Sequence, residues 1–94
     1  MDEHEFRHNM LGAKSLDEFS ESPESDFWSS YQRGLRRFYH GENFGTLEEH
    51  TLWMSLNDDR DESRILRGLG YRAGYAGQDV ISSLKLLDER RNGK

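Results

Sequence analysis

The stretch Phe27-Trp28-Ser29-Ser30-Tyr31-Gln32-Arg33-Gly34-Leu35-Arg36-Arg37-Phe38-Tyr39-His40 decides the fold. Phe27, Trp28, Tyr31, Leu35, Phe38 and Tyr39 recur at spacings that, at about 100° per residue, gather them on one side of a helix. Arg33, Arg36, Arg37 and His40 fall on the opposite side, whereas a strand would scatter both sets over its two faces. Pro23 suits a helix start or a turn, and Ser25 and Asp26 suit an N-cap, so the start is expected between Ser22 and Asp26. Gly41, Asn43 and Gly45 then close the helix, because glycine and asparagine tolerate the left-handed backbone of a helix end.

Two more helices follow. Thr46 and Glu49 have the spacing of a capping box, and Leu47, Leu52, Trp53, Met54 and Leu56 surround the next helix so widely that cover on more than one side is expected. Asn57, Asp58 and Asp59 read as its stop, with Asp61 or Ser63 capping the third helix, about Ser63 to Gly77. That helix places Ile65, Leu66, Leu69, Ala73 and Ala76 on one face. Gly68, Gly70, Gly74 and Gly77 lie within it, and each costs about 1 kcal/mol relative to alanine inside a helix. Close approach of another helix along Gly70, Gly74 and Gly77 is the compensation expected. Tyr31, Gly34 and Leu35 line up with Tyr71, Gly74 and Tyr75 at an offset of 40 residues, which reads as two helices packing at small residues. From Asp79, Val80, Ile81, Leu84 and Leu87 recur at helical spacing; whether they continue the third helix or follow a bend at Gly77 is left open by the pattern.

The 94 residues suffice for one small domain with a modest core, since the hydrophobic fraction is 33% and the mean hydropathy −1.01. The net charge of −5 is unevenly distributed: residues 1 to 26 carry −6 and residues 27 to 94 carry +1. Residues 1–24 therefore read as a flexible acidic tail, with Phe6, Met10, Leu11, Leu16 and Phe19 dispersed among polar groups. Within it, Ser15 and Glu18 could start a short helix that docks Leu16 and Phe19, and the acids could cover the arginine face. The expectation is an all-α bundle of three to four short helices over 25–90. Without cysteine, a signal-like segment or an apolar run of membrane-spanning length, the expected location is cytoplasmic.

Gly70-Tyr71-Arg72-Ala73-Gly74-Tyr75-Ala76-Gly77 resembles the glycine-tyrosine segment of the ribosome modulation factor family, small bacterial helix-loop-helix proteins that bind the ribosome in stationary phase. A looser similarity runs from Tyr31 and Gly34 through the Gly41 to Thr46 loop to Trp53. The resemblance implies ribosome binding through Arg33, Arg36, Arg37 and Arg72. The loop lacks that family's proline and tyrosine, and the residues after Gly77 do not share its pattern.

No residue set points to catalysis. His4 and His8 have the spacing of two metal ligands on one helix face, with Glu3 and Glu5 nearby, but incidental histidines on a polar segment give the simpler reading. Asp58, Asp59, Asp61 and Glu62 lack the glycine and final glutamate of a calcium loop, and His50 beside Glu49 lacks the His-Glu-x-x-His pattern. Gly68, Gly70 and Gly74 do not follow a strand, so a dinucleotide fingerprint has the wrong context. No cofactor, metal or small-molecule substrate is implied. Tyr71 and Tyr75 with Arg64 and Arg67 have the composition of a protein interface, binding a protein partner or a second copy. The leading expectation is thus a non-enzymatic bacterial interaction protein. The alternative is a ribosome- or nucleic-acid-associated regulator that neutralises phosphates with Arg33, Arg36, Arg37 and His40. A third class, a phosphate mimic, rests on the acids that precede Phe27.

Overall fold

The computed structural model describes residues 1–56 and 60–92. These form α1 (Glu3–Phe19), α2 (Glu24–His40), α3 (Leu47–Ser55), α4 (Glu62–Tyr75) and α5 (Val80–Asn92), with no strand among the described residues. The architecture is all-α, with five helices among the described residues where three to four were expected.

The additional helix is α1, which occupies the stretch read as a flexible tail. It starts at Asp2, not at Ser15. The Asp2 carboxylate accepts from the Glu5 amide and the Glu5 carboxylate from the Asp2 amide, a complete capping box. Phe6, Asn9, Met10, Ala13 and Leu16 then fall on one helical stripe, of which Asn9 and Ala13 are buried and the others half-buried. Asparagine and alanine in the middle of the stripe hide its period from a hydropathy reading. Asn9 has a specific task there: its Nδ2 donates to Glu5 O while its Oδ1 accepts from the Val80 amide at the start of α5.

The centre of the molecule is the pair α2 and α4, lying side by side and running in the same direction. A Cβ added at Gly34 would fall within 3.0 Å of Tyr71 O; one at Gly70 would meet Phe27 O, and one at Gly74 would meet Tyr31 O. The relation is reciprocal, because Gly34 faces the tyrosine of α4 while Gly74 faces the tyrosine of α2. The 40-residue echo is therefore the register of a parallel helix pair, with Tyr31 level with Tyr71 and Gly34 level with Gly74. Small residues at four-residue spacing let two backbones approach closely. The expected glycine ridge is confirmed at Gly70 and Gly74. Gly77 lies beyond α4 at φ 75°, packed on the Phe38 ring, and it bends the chain before α5.

Phe27, Trp28, Tyr31, Leu35, Leu66 and Ala73 of this pair form the core with Ala13 of α1 and Leu87 of α5. Phe6 of α1 stacks on Tyr39 with ring centroids 4.2 Å apart, and Tyr31 donates to Gln78 O at 2.7 Å, so α1 and α5 cover the Tyr31 side. The expected Ser25 and Asp26 caps do not form: α2 begins after Pro23, without a side-chain cap. Asp26 instead accepts from Ser22, Ser63 and Arg67, fastening the starts of α2 and α4 together. Gly41 closes α2 at φ 91°, Thr46 caps α3 as expected, and of the two candidates Asp61 and Ser63 it is Asp61 that caps α4. The proposed stop at Asn57, Asp58 and Asp59 lies outside the described residues.

The close approach sets a directional expectation. Gly70→Ala and Gly74→Ala should each destabilise the chain by about 1–3 kcal/mol in urea denaturation, the overlap exceeding alanine's helix advantage of about 1 kcal/mol. Gly12→Ala, whose added Cβ would meet Val80 Cγ2 at 3.4 Å, should be neutral or stabilising.

Candidate interaction surface

Because α2 and α4 are parallel, the chain must return along them to begin α4, and α3 makes that return on the Tyr71 side. No residue of α3 is buried, and none belongs to the core. The expected cover on several sides is thus absent: Leu47 is 66% exposed, with Leu52 and Met54 also exposed. The apolar positions of α3 split between an outward and an inward set, and only His50, Trp53 and Glu49 turn toward the pair, with Leu56 just beyond the helix end.

Polar clasps hold α3 in place. Arg33 makes a two-pronged ion pair with the Glu49 carboxylate, which turns away from the capping-box role its spacing suggested. Arg37 donates to Phe44 O and Thr46 O in the loop that precedes α3. Arg72 donates to Trp53 O at 2.7 Å and Leu56 O at 2.9 Å, capping the carbonyl end of α3. The Tyr71 hydroxyl lies 2.9 Å from His50 Nδ1, and the His50 ring meets the Tyr75 ring edge-on. Arg64 sits over the Trp53 ring.

The structure therefore redistributes the residues singled out by sequence. Tyr71 is 1% exposed and Arg37 4% exposed, so neither stands on the surface in this conformation. Arg37 leaves the solvent face because it follows Gly34 by three residues, which turns it into the groove that the 41–46 loop closes. Arg67 is bound to Asp26 at the start of α2. Arg64, Arg72, Tyr71 and Tyr75 do come together against α3, with Arg37 under the loop that precedes it and Arg33 at the exposed edge. Arg36 and His40 remain exposed and line with Arg7 a cleft of about 460 Å³ beside Phe6, Met10 and Leu11, the Arg36 guanidinium also lying over the Phe44 ring. Among the described residues no ion pair joins an acid of α1 to Arg33, Arg36 or Arg37, so α1 docks through its apolar stripe and not as an acidic cover.

Comparison of the chain with protein-family models, curated proteins and solved structures found no significant match. A second cleft, lined by His4, His8, Asn9, Asp79 and Val80, lies where α1 meets the start of α5. Among the described residues no group of three or more His, Asp or Glu side chains is arranged to hold a metal ion, and no helix is long and apolar enough to cross a membrane. Of the supposed calcium loop, Asp58 and Asp59 lie outside the described residues.

Charge placement follows the clasps. Burial raises the Tyr71 hydroxyl above its ordinary value, with the nearby Arg37 charge opposing it. The Glu49 hydrogen bond raises Arg33, and burial lowers Arg72. Burial alone would raise the Asp26 carboxyl, but hydrogen bonds from Ser63, Arg67 and Ser22 outweigh it and hold Asp26 below the usual carboxylate range.

A depressed carboxylate stabilises the fold above its unfolded value of about 3.9 and loses that contribution as the pH falls through the lower folded value. Asp26→Asn should accordingly reduce stability at pH 7, and its difference from the wild type in denaturation should shrink below about pH 4. Tyr71→Ala should cost about 3–5 kcal/mol, the range for removing a buried aromatic ring. A loss near zero in the same assay would place Tyr71 on the surface.

Proposed function

We propose that the chain is a small non-enzymatic interaction protein, of bacterial cytoplasmic type, that binds a protein partner or a second copy through its helical exterior. The observation that carries this reading is the display of large apolar side chains by a chain that has few of them. Phe19 is 89%, Leu11 67%, Leu47 66% and Ile81 65% exposed. Leu11 adjoins Phe6 and Met10 at one cleft, and a contiguous exposed apolar patch is what marks an interface.

Association with the ribosome or another nucleic acid is the second reading, supported by Arg36, His40 and Arg7 at the surface and by the glycine-tyrosine resemblance. Arg37 and Arg72 bind carbonyl oxygens and Arg33 binds Glu49, which leaves this reading fewer phosphate contacts than the sequence suggested. The two readings separate in salt. Capture from lysate by the tagged full chain should survive nuclease and added salt, and Leu11→Gln with Phe19→Gln should abolish it without altering the helical circular dichroism. Capture that disappears with nuclease, falls steeply with salt and is lost in Arg36→Gln would establish the nucleic-acid reading instead.

A further inference from the structure

We propose that α3 is a displaceable cover, and that the surface beneath it receives an acidic amphipathic helix from a partner protein in place of α3; the second half of this inference rests on the reading of the chain as an interaction protein. Three observations carry it. First, α3 contributes nothing to the core, which α1, α2, α4 and α5 complete without it. An element with few buried apolar contacts opens locally at a lower free energy than the core opens globally.

Second, beside the ring contacts of His50 and Trp53, what holds α3 and its flanks is polar: Arg33 on Glu49, Arg37 on Phe44 O and Thr46 O, Arg72 on Trp53 O and Leu56 O, and Tyr71 on His50. Each arginine grips an acceptor oxygen that another chain could supply equally well. Exchange of one helix for another gives Arg72 new acceptors, whereas opening without replacement would leave it without Trp53 O and Leu56 O.

Third, the surface under α3 and its preceding loop combines Arg37, Arg64 and Arg72 with Tyr71 and Tyr75, with the exposed Arg33 at its edge, and tyrosine and arginine dominate the energetics of protein interfaces. The present occupant specifies the ligand. It is a short helix with a carboxylate at Arg33, an aromatic ring under Arg64, and free C-terminal carbonyls aimed at Arg72. A helix fits this site better than a phosphate chain, because Arg72 takes two carbonyls at a helix terminus and Tyr71 takes an imidazole. The intramolecular α3 reduces the apparent affinity of any competitor by the fraction of molecules that are open.

The test uses the full chain. In amide hydrogen exchange, residues 47–55 should exchange by a separate opening well before the Tyr31 and Gly74 segments of α2 and α4; exchange of α3 only at the global rate would overturn the proposal. The partner chemistry is probed with a fluorescein-labelled peptide of residues 44–56, read by anisotropy. Glu49→Gln in the chain weakens its own clasp, so the peptide should bind this variant about tenfold more tightly than the wild type, a difference of about 1.4 kcal/mol. A peptide carrying the same Glu49→Gln change should lose that gain. Equal binding of all combinations, or displacement of α3 by a single-stranded RNA oligonucleotide and not by the peptide, would overturn the acidic helix as occupant. Neither arm requires the natural partner, so its outcome stands apart from capture by the exterior apolar residues.

Discussion

The backbone contact of α2 with α4 is the constraint on which the remaining structure depends. With Gly34, Gly70 and Gly74 at the crossing, two helices pack main chain to main chain, and the tyrosines that flank the glycines are forced outward to opposite sides of the pair. Tyr31 is directed toward α1 and α5, and its hydroxyl finds Gln78 O. Tyr71 is directed toward α3 and finds His50. The lost helix propensity of the glycines is thus offset by dispersion contacts along the whole crossing and by two separate docking platforms.

Parallel alignment of consecutive long helices carries a topological consequence. The chain leaves α2 at the far end and must come back before α4 can start, so a returning segment is obligatory and α3 is that segment. It returns over the Tyr71 side without becoming part of the core. On the Tyr31 side, α1 and α5 bury Ala13, Leu87 and Ser83 against the pair, so the two sides of one quasi-symmetric helix pair are covered by different physics. One is closed by apolar packing and the other by guanidinium groups on carbonyl and carboxylate oxygens. The polar side is the one able to exchange its cover.

The same arginines illustrate how charge on a helix surface misleads when it is read without neighbours. Arg33, Arg36 and Arg37 are close in sequence, yet they have three fates: an ion pair to Glu49, exposure beside Phe44, and burial against loop carbonyls. The electrostatics that a stripe of three cations would have presented to a phosphate chain is largely consumed inside the molecule. Likewise the acidity of the first 26 residues does not make a free arm, because Asp2 and Glu5 cap α1 and Asp26 joins α2 to α4.

By itself the sequence determined the all-helical class, the extent of α2 as far as Gly41, the cap at Thr46, a cap at Asp61 or Ser63, and the close helix approach at Gly34 and Gly74. These are local matters: side-chain periodicity, the φ freedom of glycine and hydrogen bonds within one turn all act over a few residues. Tertiary structure alone decided that α1 is a docked helix, since its stripe has Asn9 and Ala13 at its centre and acquires meaning only against α2 and α5. It also decided that Tyr71 and Arg37 are covered, because the groove that buries them is made by a loop and a helix that follow in the chain, and no periodicity within α2 or α4 records which side those later residues will take.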